Sequence, residues 1–246
     1  IMLFRNIVFS ALLVGVFSGV VLTAVQFLQV IPIILSAERF EAKPVAVSTA
    51  VTAPVDHKRL EPITESVWGP ENGIERTSYT LLTNILTAVG FSLLVLVAIV
   101  ALQRPDSKAK LNWRHGLFWG ASGYVIFFVA PALGIPPEIP GATAAPLESR
   151  QEWWFLAVIC TAAGLGGAVF LKKNWRWALL GFLIVPHLFG APHITTGMFE
   201  GQPPAAAAEL AGLAQQFIIA TAITSATLWL TLGITSVWTV RRFVLT

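Results

Sequence analysis

The chain has 246 residues, 55% of them hydrophobic and only 12% charged, with a mean hydropathy of +0.73. That balance excludes an ordinary soluble domain and makes lipid the principal solvent. The net charge of +3 invites a nucleic-acid reading, but Lys and Arg stand in short clusters beside apolar runs, a pattern of membrane topology, so no nucleic-acid partner is expected.

A hydrocarbon core about 30 Å thick takes about 20 apolar helical residues to cross. Six windows answer to that description: residues 6–35, 79–102, 116–133, 153–171, 175–190 and 210–240. The expected fold is an all-α integral membrane protein, a single membrane domain of about six transmembrane helices over residues 1–246, with irregular outer loops.

Arg5 precedes the first window, and residues 7–35 carry no charge. This run is longer than the 7 to 15 residues of a signal-peptide core, so it reads as a retained signal-anchor. Gly15 and Gly19 are spaced for close approach of a second helix. Residues 36–78 form a long extracytoplasmic loop with five basic and seven acidic residues; Pro44, Pro54, Pro62 and Pro70 keep it irregular, and His57 within it reads as solvated.

The second window offers Thr83, Asn84 and Thr87, as the first offers Gln26 and Gln29. Such groups either line a path or bond neighbouring helices, and the second use is the commoner one. Arg104, Lys108, Lys110 and Arg114 fill the next connection, where His115 reads as interfacial, and the third window opens on Gly116-x-x-x-Gly120, a second close-packing element. Residues 134–141 (Gly-Ile-Pro-Pro-Glu-Ile-Pro-Gly) cannot form a continuous helix and make either a plug or a rigid loop. Arg150 is positioned to pair with Glu138 or Glu148 and fix that loop.

Cys160, the only cysteine, lies in the fourth window and excludes an intrachain disulfide; it reads as a packing residue. Lys172, Lys173 and Arg176 follow. The fifth window has only 16 residues and contains Pro186, so a re-entrant or partly unwound segment competes with a crossing there. The sixth is rich in hydroxyls, from Thr221 to Thr235, and ends at Arg241 and Arg242. With the four basic sites placed inside, an even number of spans puts both termini in the cytoplasm. Trp113, Trp153, Trp154, Trp175, Trp177 and Trp238 fall near window ends, where interfacial anchoring is the expected role.

No phosphate-binding Gly-rich loop, nucleophile elbow, His-Glu-x-x-His helix or paired-carboxylate motif is present, so neither an enzyme nor a resident cofactor is expected. The most informative stretch is residues 186–193, where His187 and His193 flank a Gly and lie beside Pro186 and Pro192. A helix broken there exposes carbonyls near an outer face, and His187, His193 and Glu138 form a candidate metal site, with Glu148, Glu152 and Glu200 on the same face. Nitrogen and oxygen donors suit Co²⁺, Ni²⁺ or Zn²⁺. A purely structural pair of histidines is the competing reading.

Four stretches together carry a resemblance: Gly116-Leu-Phe-Trp-Gly120, residues 130–141, Arg150-Gln-Glu-Trp-Trp154, and Pro186-His-Leu-Phe-Gly-Ala-Pro192. They resemble the CbtA family of proposed cobalt transporter subunits, most closely over residues 113–193. The resemblance implies a multi-pass protein of the bacterial inner membrane that takes up Co²⁺ for cobalamin synthesis, paired with a small single-span CbtB-like subunit that has a histidine-rich end. It implies about five spans where the windows number six, and it makes His187 the motif histidine, with His193 just beyond. The function expected is therefore a membrane subunit of a divalent metal cation (cobalt) uptake transporter. The alternative is a non-transporting structural or accessory subunit of a larger membrane complex.

Overall fold

The computed structural model describes residues 2–41, 69–102, 111–171 and 175–244, and all regular structure among them is helical. In chain order the helices are α1 (Met2–Ala37), α2 (Ile74–Leu102), α3 (Trp113–Tyr124), α4 (Ala130–Ala132), α5 (Leu147–Phe170), α6 (Trp175–Leu179), α7 (Val185–Phe189) and α8 (Pro204–Thr239). His57, Lys172 and Lys173 lie outside the described residues.

Among the described residues four helices, rather than six, are long and apolar enough to cross a membrane: Met2–Phe40, Ile74–Leu102, Leu147–Phe170 and Pro204–Val244. The third and fifth windows fall short for different physical reasons. In the third, α3 runs into α4 through a π-helical turn, Val125–Val129, in which the Ala130 N–H reaches back to the Val125 carbonyl. Pro131 has no N–H to donate and its ring would press on the preceding turn, and the wider π turn lies just ahead of it. The fifth window is broken into three pieces: α6, a 3₁₀ turn over Leu180–Leu183, and α7, which has Pro186 in its first turn and is followed by Gly190 at φ +80°.

Small residues set the packing. A Cβ on Gly15 would lie 2.6 Å from Val89 Cα, and one on Gly19 2.6 Å from Ile85 Cα, so α1 and α2 pass antiparallel at backbone distance. On α3 the same holds against α8: a Cβ at Gly116 would lie 2.7 Å from Ile234 Cα, and one at Gly120 2.6 Å from the Trp229 carbonyl oxygen. Gly123 leaves room for the Trp229 ring, which stacks on Phe127 at 5.0 Å and packs against Phe91 at 4.9 Å. Around this contact lies the main apolar core, with Val14, Leu96, Ile99, Leu232 and Val240 nearly or fully buried. The small-residue faces are thus consumed within the chain.

The fifth segment lies along α5. Gly167 and Gly164 make room for Leu179, whose carbonyl oxygen is 3.0 Å from a Cβ built on Gly164, and farther along His187 meets Trp153. The two therefore run antiparallel, although the second is not one helix.

Some polar groups inside the bundle bond one another or their own helix, whereas the buried hydroxyls of Ser10, Ser18, Thr224 and Ser236 have no hydrogen-bond partner. Asn84 Nδ2 donates to Gln26 Oε1 at 2.6 Å and to Thr23 Oγ1 at 3.0 Å, tying α2 to α1. Thr221, Thr227, Thr231 and Thr235 each donate to the carbonyl four residues earlier, at 2.7, 2.9, 2.7 and 2.6 Å. Cys160 is buried and unbonded.

The ends of the bundle differ in charge. Asn6 Nδ2 donates to the Phe243 carbonyl at 2.8 Å, so the start of α1 lies at the end of α8, and the α3–α8 register brings the start of α3 there too. That end carries Arg5, Arg114, Arg241 and Arg242. Among the described residues every acidic side chain, from Glu38 and Glu75 to Glu138, Glu152 and Glu209, lies towards the opposite end. Trp113, Trp177 and Trp238 are exposed, as membrane-interface anchors are, whereas Trp153 is 5% exposed and belongs to the interior.

Candidate functional site

At the acidic end the chain leaves α4 as an irregular loop through residues 133–146. Its backbone starts tightly, with the Gly134 and Ile135 N–H groups both donating to the Pro131 carbonyl, at 3.1 and 2.9 Å. It turns again at Gly141, whose φ of +79° lies in the left-handed region that favours glycine. Ile139 pins the loop by burying itself beside Val30, Ala37, Leu210 and Phe217, and the Thr143 N–H donates to the Met198 carbonyl at 2.8 Å. The proline-rich stretch is therefore a fixed element seated between α1 and α8.

Glu138 leaves this loop and meets Arg150 in the first turn of α5, with Arg150 Nη2 3.1 Å from Glu138 Oε2. Of the two carboxylates available to Arg150 in the sequence, Glu138 takes the pair, and Glu148 is exposed. The pair stands between two cavities and lines both. One, of about 490 Å³, is walled by Phe127, Phe128, Trp154 and Phe155. The other, of about 320 Å³, is walled by His193, Thr143, Met198 and, from α8, Ala214 and Ile218. Two donors beside the pair, Arg150 Nε and Trp153 Nε1, are buried with no hydrogen-bond partner.

The expected metal-site residues are thus divided. Glu138 and His193 line one cavity. His187 stands apart, exposed on α7, its ring 6.0 Å from that of Trp153 and edge-on to it, while Pro186 beside it is buried. Glu148, Glu152 and Glu200 are exposed and line neither cavity. Among the described residues no three His, Cys, Asp or Glu side chains converge to hold one ion. His115, read as interfacial, completes a capping box with Asn112: Asn112 Oδ1 accepts from the Arg114 N–H at 3.0 Å, and the Asn112 N–H donates to His115 Nδ1 at 3.2 Å.

Trp153 and Gly134 are the site residues that sequence reasoning missed. A Cβ on Gly134 would run into the Trp153 ring, so loop and helix touch there without a spacer. The available signal was periodic: Trp153, Ala157, Cys160, Thr161 and Gly164 recur at helical spacing and form the buried face of α5.

Long apolar helices and a loop-built, largely apolar cavity at one end into which Glu138, Arg150 and His193 are set define a polytopic α-helical membrane protein. The family described as "Probable cobalt transporter subunit (CbtA)" matches residues 4–241, nearly the whole chain. The chain belongs to the CbtA family, and so to a family of transporter subunits whose probable cargo is cobalt. No curated protein and no solved structure matches it.

Proposed function

We propose that this chain is the membrane subunit of a divalent metal cation (cobalt) uptake transporter in a bacterial inner membrane, with the acidic end outside and the basic end in the cytoplasm. The observation that carries the reading is the joint position of Glu138 and His193 on one cavity beside Arg150. A carboxylate and an imidazole are suitable donors for Co²⁺, and two donors alone hold it weakly enough for onward passage. Arg150 stands in for the cation when the cavity is empty, since its guanidinium neutralises Glu138 at 3.1 Å. An arriving Co²⁺ takes Glu138 from Arg150, and the remaining positions are filled by water, backbone carbonyls or a second, small single-span subunit.

Cobalt accumulation in cells carrying Glu138→Gln or His193→Ala tests this. At unchanged membrane levels of the protein, the initial rate is expected to fall about tenfold, equivalent to about 1.4 kcal/mol. Wild-type rates in Glu138→Gln would sink the reading. His187→Ala is expected to alter uptake less than His193→Ala, because His187 faces Trp153.

A second reading, a non-transporting structural or accessory subunit of a larger complex, draws on the lack of a three-ligand group among the described residues. It predicts that all three variants accumulate cobalt normally while copurification with the larger assembly is altered.

A further inference from the structure

A groove on the lipid-facing side of α1 and α8 has no part in the transport reading. It runs along α1 from Phe9 to Val20, with Thr235 and Trp238 of α8 as its other wall, and encloses about 750 Å³. Its length, about 16 Å at the helical rise, matches half of a hydrocarbon core about 30 Å thick, the depth of one leaflet. The walls are apolar, and the single hydroxyl among them, Thr235 Oγ1, is already spent on the Thr231 carbonyl at 2.6 Å. Bulky side chains such as Leu13, Phe17 and Trp238 line it, without Gly, Ala or Ser. That surface suits a flexible acyl chain better than a partner helix, which packs where small residues allow backbones to approach.

One end of the groove is cationic. Arg5 lies four residues before Phe9, one turn outward on the same face of α1, and Arg241 lies three residues after Trp238 on α8. Both are exposed. The Phe243 ring packs edge-on against Phe9 at 6.2 Å and Trp238 at 5.9 Å, and the Asn6–Phe243 hydrogen bond holds the two helix ends together. No acidic residue among those described stands at this end to offset the arginines.

We propose that this groove is a binding site for one anionic phospholipid. The acyl chain lies along Leu13 and Phe17, Trp238 sits at headgroup level, and the phosphate is held between Arg5 and Arg241.

The test uses the full chain purified in mild detergent, with phosphatidylglycerol or phosphatidylcholine added and bound lipid counted by native mass spectrometry. Wild-type protein is expected to retain one phosphatidylglycerol about tenfold over phosphatidylcholine, and R5Q/R241Q to lose that preference. Leu13→Trp, which fills the groove and leaves both arginines in place, is expected to lose the bound lipid. Should the double variant fail to accumulate, Leu13→Trp alone decides the matter. The proposal is overturned by equal retention of the two lipids in wild-type protein, by an undiminished preference in R5Q/R241Q, by full lipid retention in Leu13→Trp, or by a protein helix cross-linking through Phe17.

Discussion

Arg150 bonds Glu138 through one guanidinium nitrogen, while its Nε is buried with nothing to donate to. Pairs this accessible, with side chains 32% and 23% exposed, contribute about 0–1 kcal/mol to stability, so folding alone does not account for the arrangement. A role as tethered substitute cation separates from a merely structural one in the kinetics. Arg150→Gln leaves Glu138 without its competitor, so the expected result is a lower KM for cobalt together with slower turnover, at a thermal stability within about 1 kcal/mol of wild type. Cobalt uptake measured over a range of concentrations reads both; a KM that rises with the loss of rate would sink the substitution idea. Glu138 and Arg150 were legible together in the sequence because a proline-rich loop too short to wander separates them. The sequence put Glu138, His187 and His193 on one outer face, but not which of them share a cavity, since more than fifty residues and the whole of α5 lie between Glu138 and His193, and only the antiparallel return of the broken segment brings the second loop beside the first. The same return pairs His187 with Trp153, which is why a tryptophan expected at the interface is buried.

Windows of apolar residues find helices through composition, but composition is blind to how the helix is wound. The third and fifth windows show the consequence: Pro131 follows a π turn, and a five-residue helix with Pro186 in its first turn stops at Gly190. Gly-x-x-x-Gly was more informative, because backbone approach has a simple geometric requirement. The sequence could mark Gly116 and Gly120 as contact points, while the partner, α8, emerged only from the fold. These glycines differ from others in helices of equal apolarity, and the difference is measurable. Gly120→Ala would set a Cβ 2.6 Å from the Trp229 carbonyl oxygen and 2.9 Å from Leu230 Cα, both backbone atoms that cannot step aside. A loss of about 1–3 kcal/mol is expected from this overpacking. Gly90→Ala in α2 meets nothing within 4 Å, so it is expected to gain about 0.5–1 kcal/mol from helix propensity alone. Thermal unfolding of the two variants in the same detergent compares them; equal destabilisation would mean that α3 does not pack on α8 through this face.

At the scale of the whole molecule, charge and chain direction constrain each other. α5 runs from the acidic end towards the basic end, and α8 makes the same journey again. Residues 171–203 must therefore bring the chain back, and the antiparallel contacts of α6 and α7 with α5 mark the route. On this path the broken fifth segment traverses the bundle even though it lacks the length and apolarity of a free-standing membrane helix. α5 covers one side of this segment, while most of its side chains from residue 176 on are exposed, and non-helical backbone at membrane depth has to be covered on that side too. Were α3 with its π turn to cross as well, the passes would number six, and Arg5 and Arg241 would share one face, which the distribution of lysine and arginine makes the cytoplasmic one in the proposed orientation. Single cysteines introduced into a Cys160→Ser background test both the parity and the direction. In intact cells, a membrane-impermeant maleimide is expected to label Glu200→Cys and Glu152→Cys at once, and Arg5→Cys and Arg241→Cys only after permeabilisation. Labelling of Arg241→Cys from outside, with Arg5→Cys still protected, would mean that one of the two irregular segments fails to cross. The Glu152→Cys result would then say which, since Glu200→Cys is protected in either case: Glu152→Cys exposed assigns the failure to the segment broken at Pro186, and Glu152→Cys protected assigns it to α3.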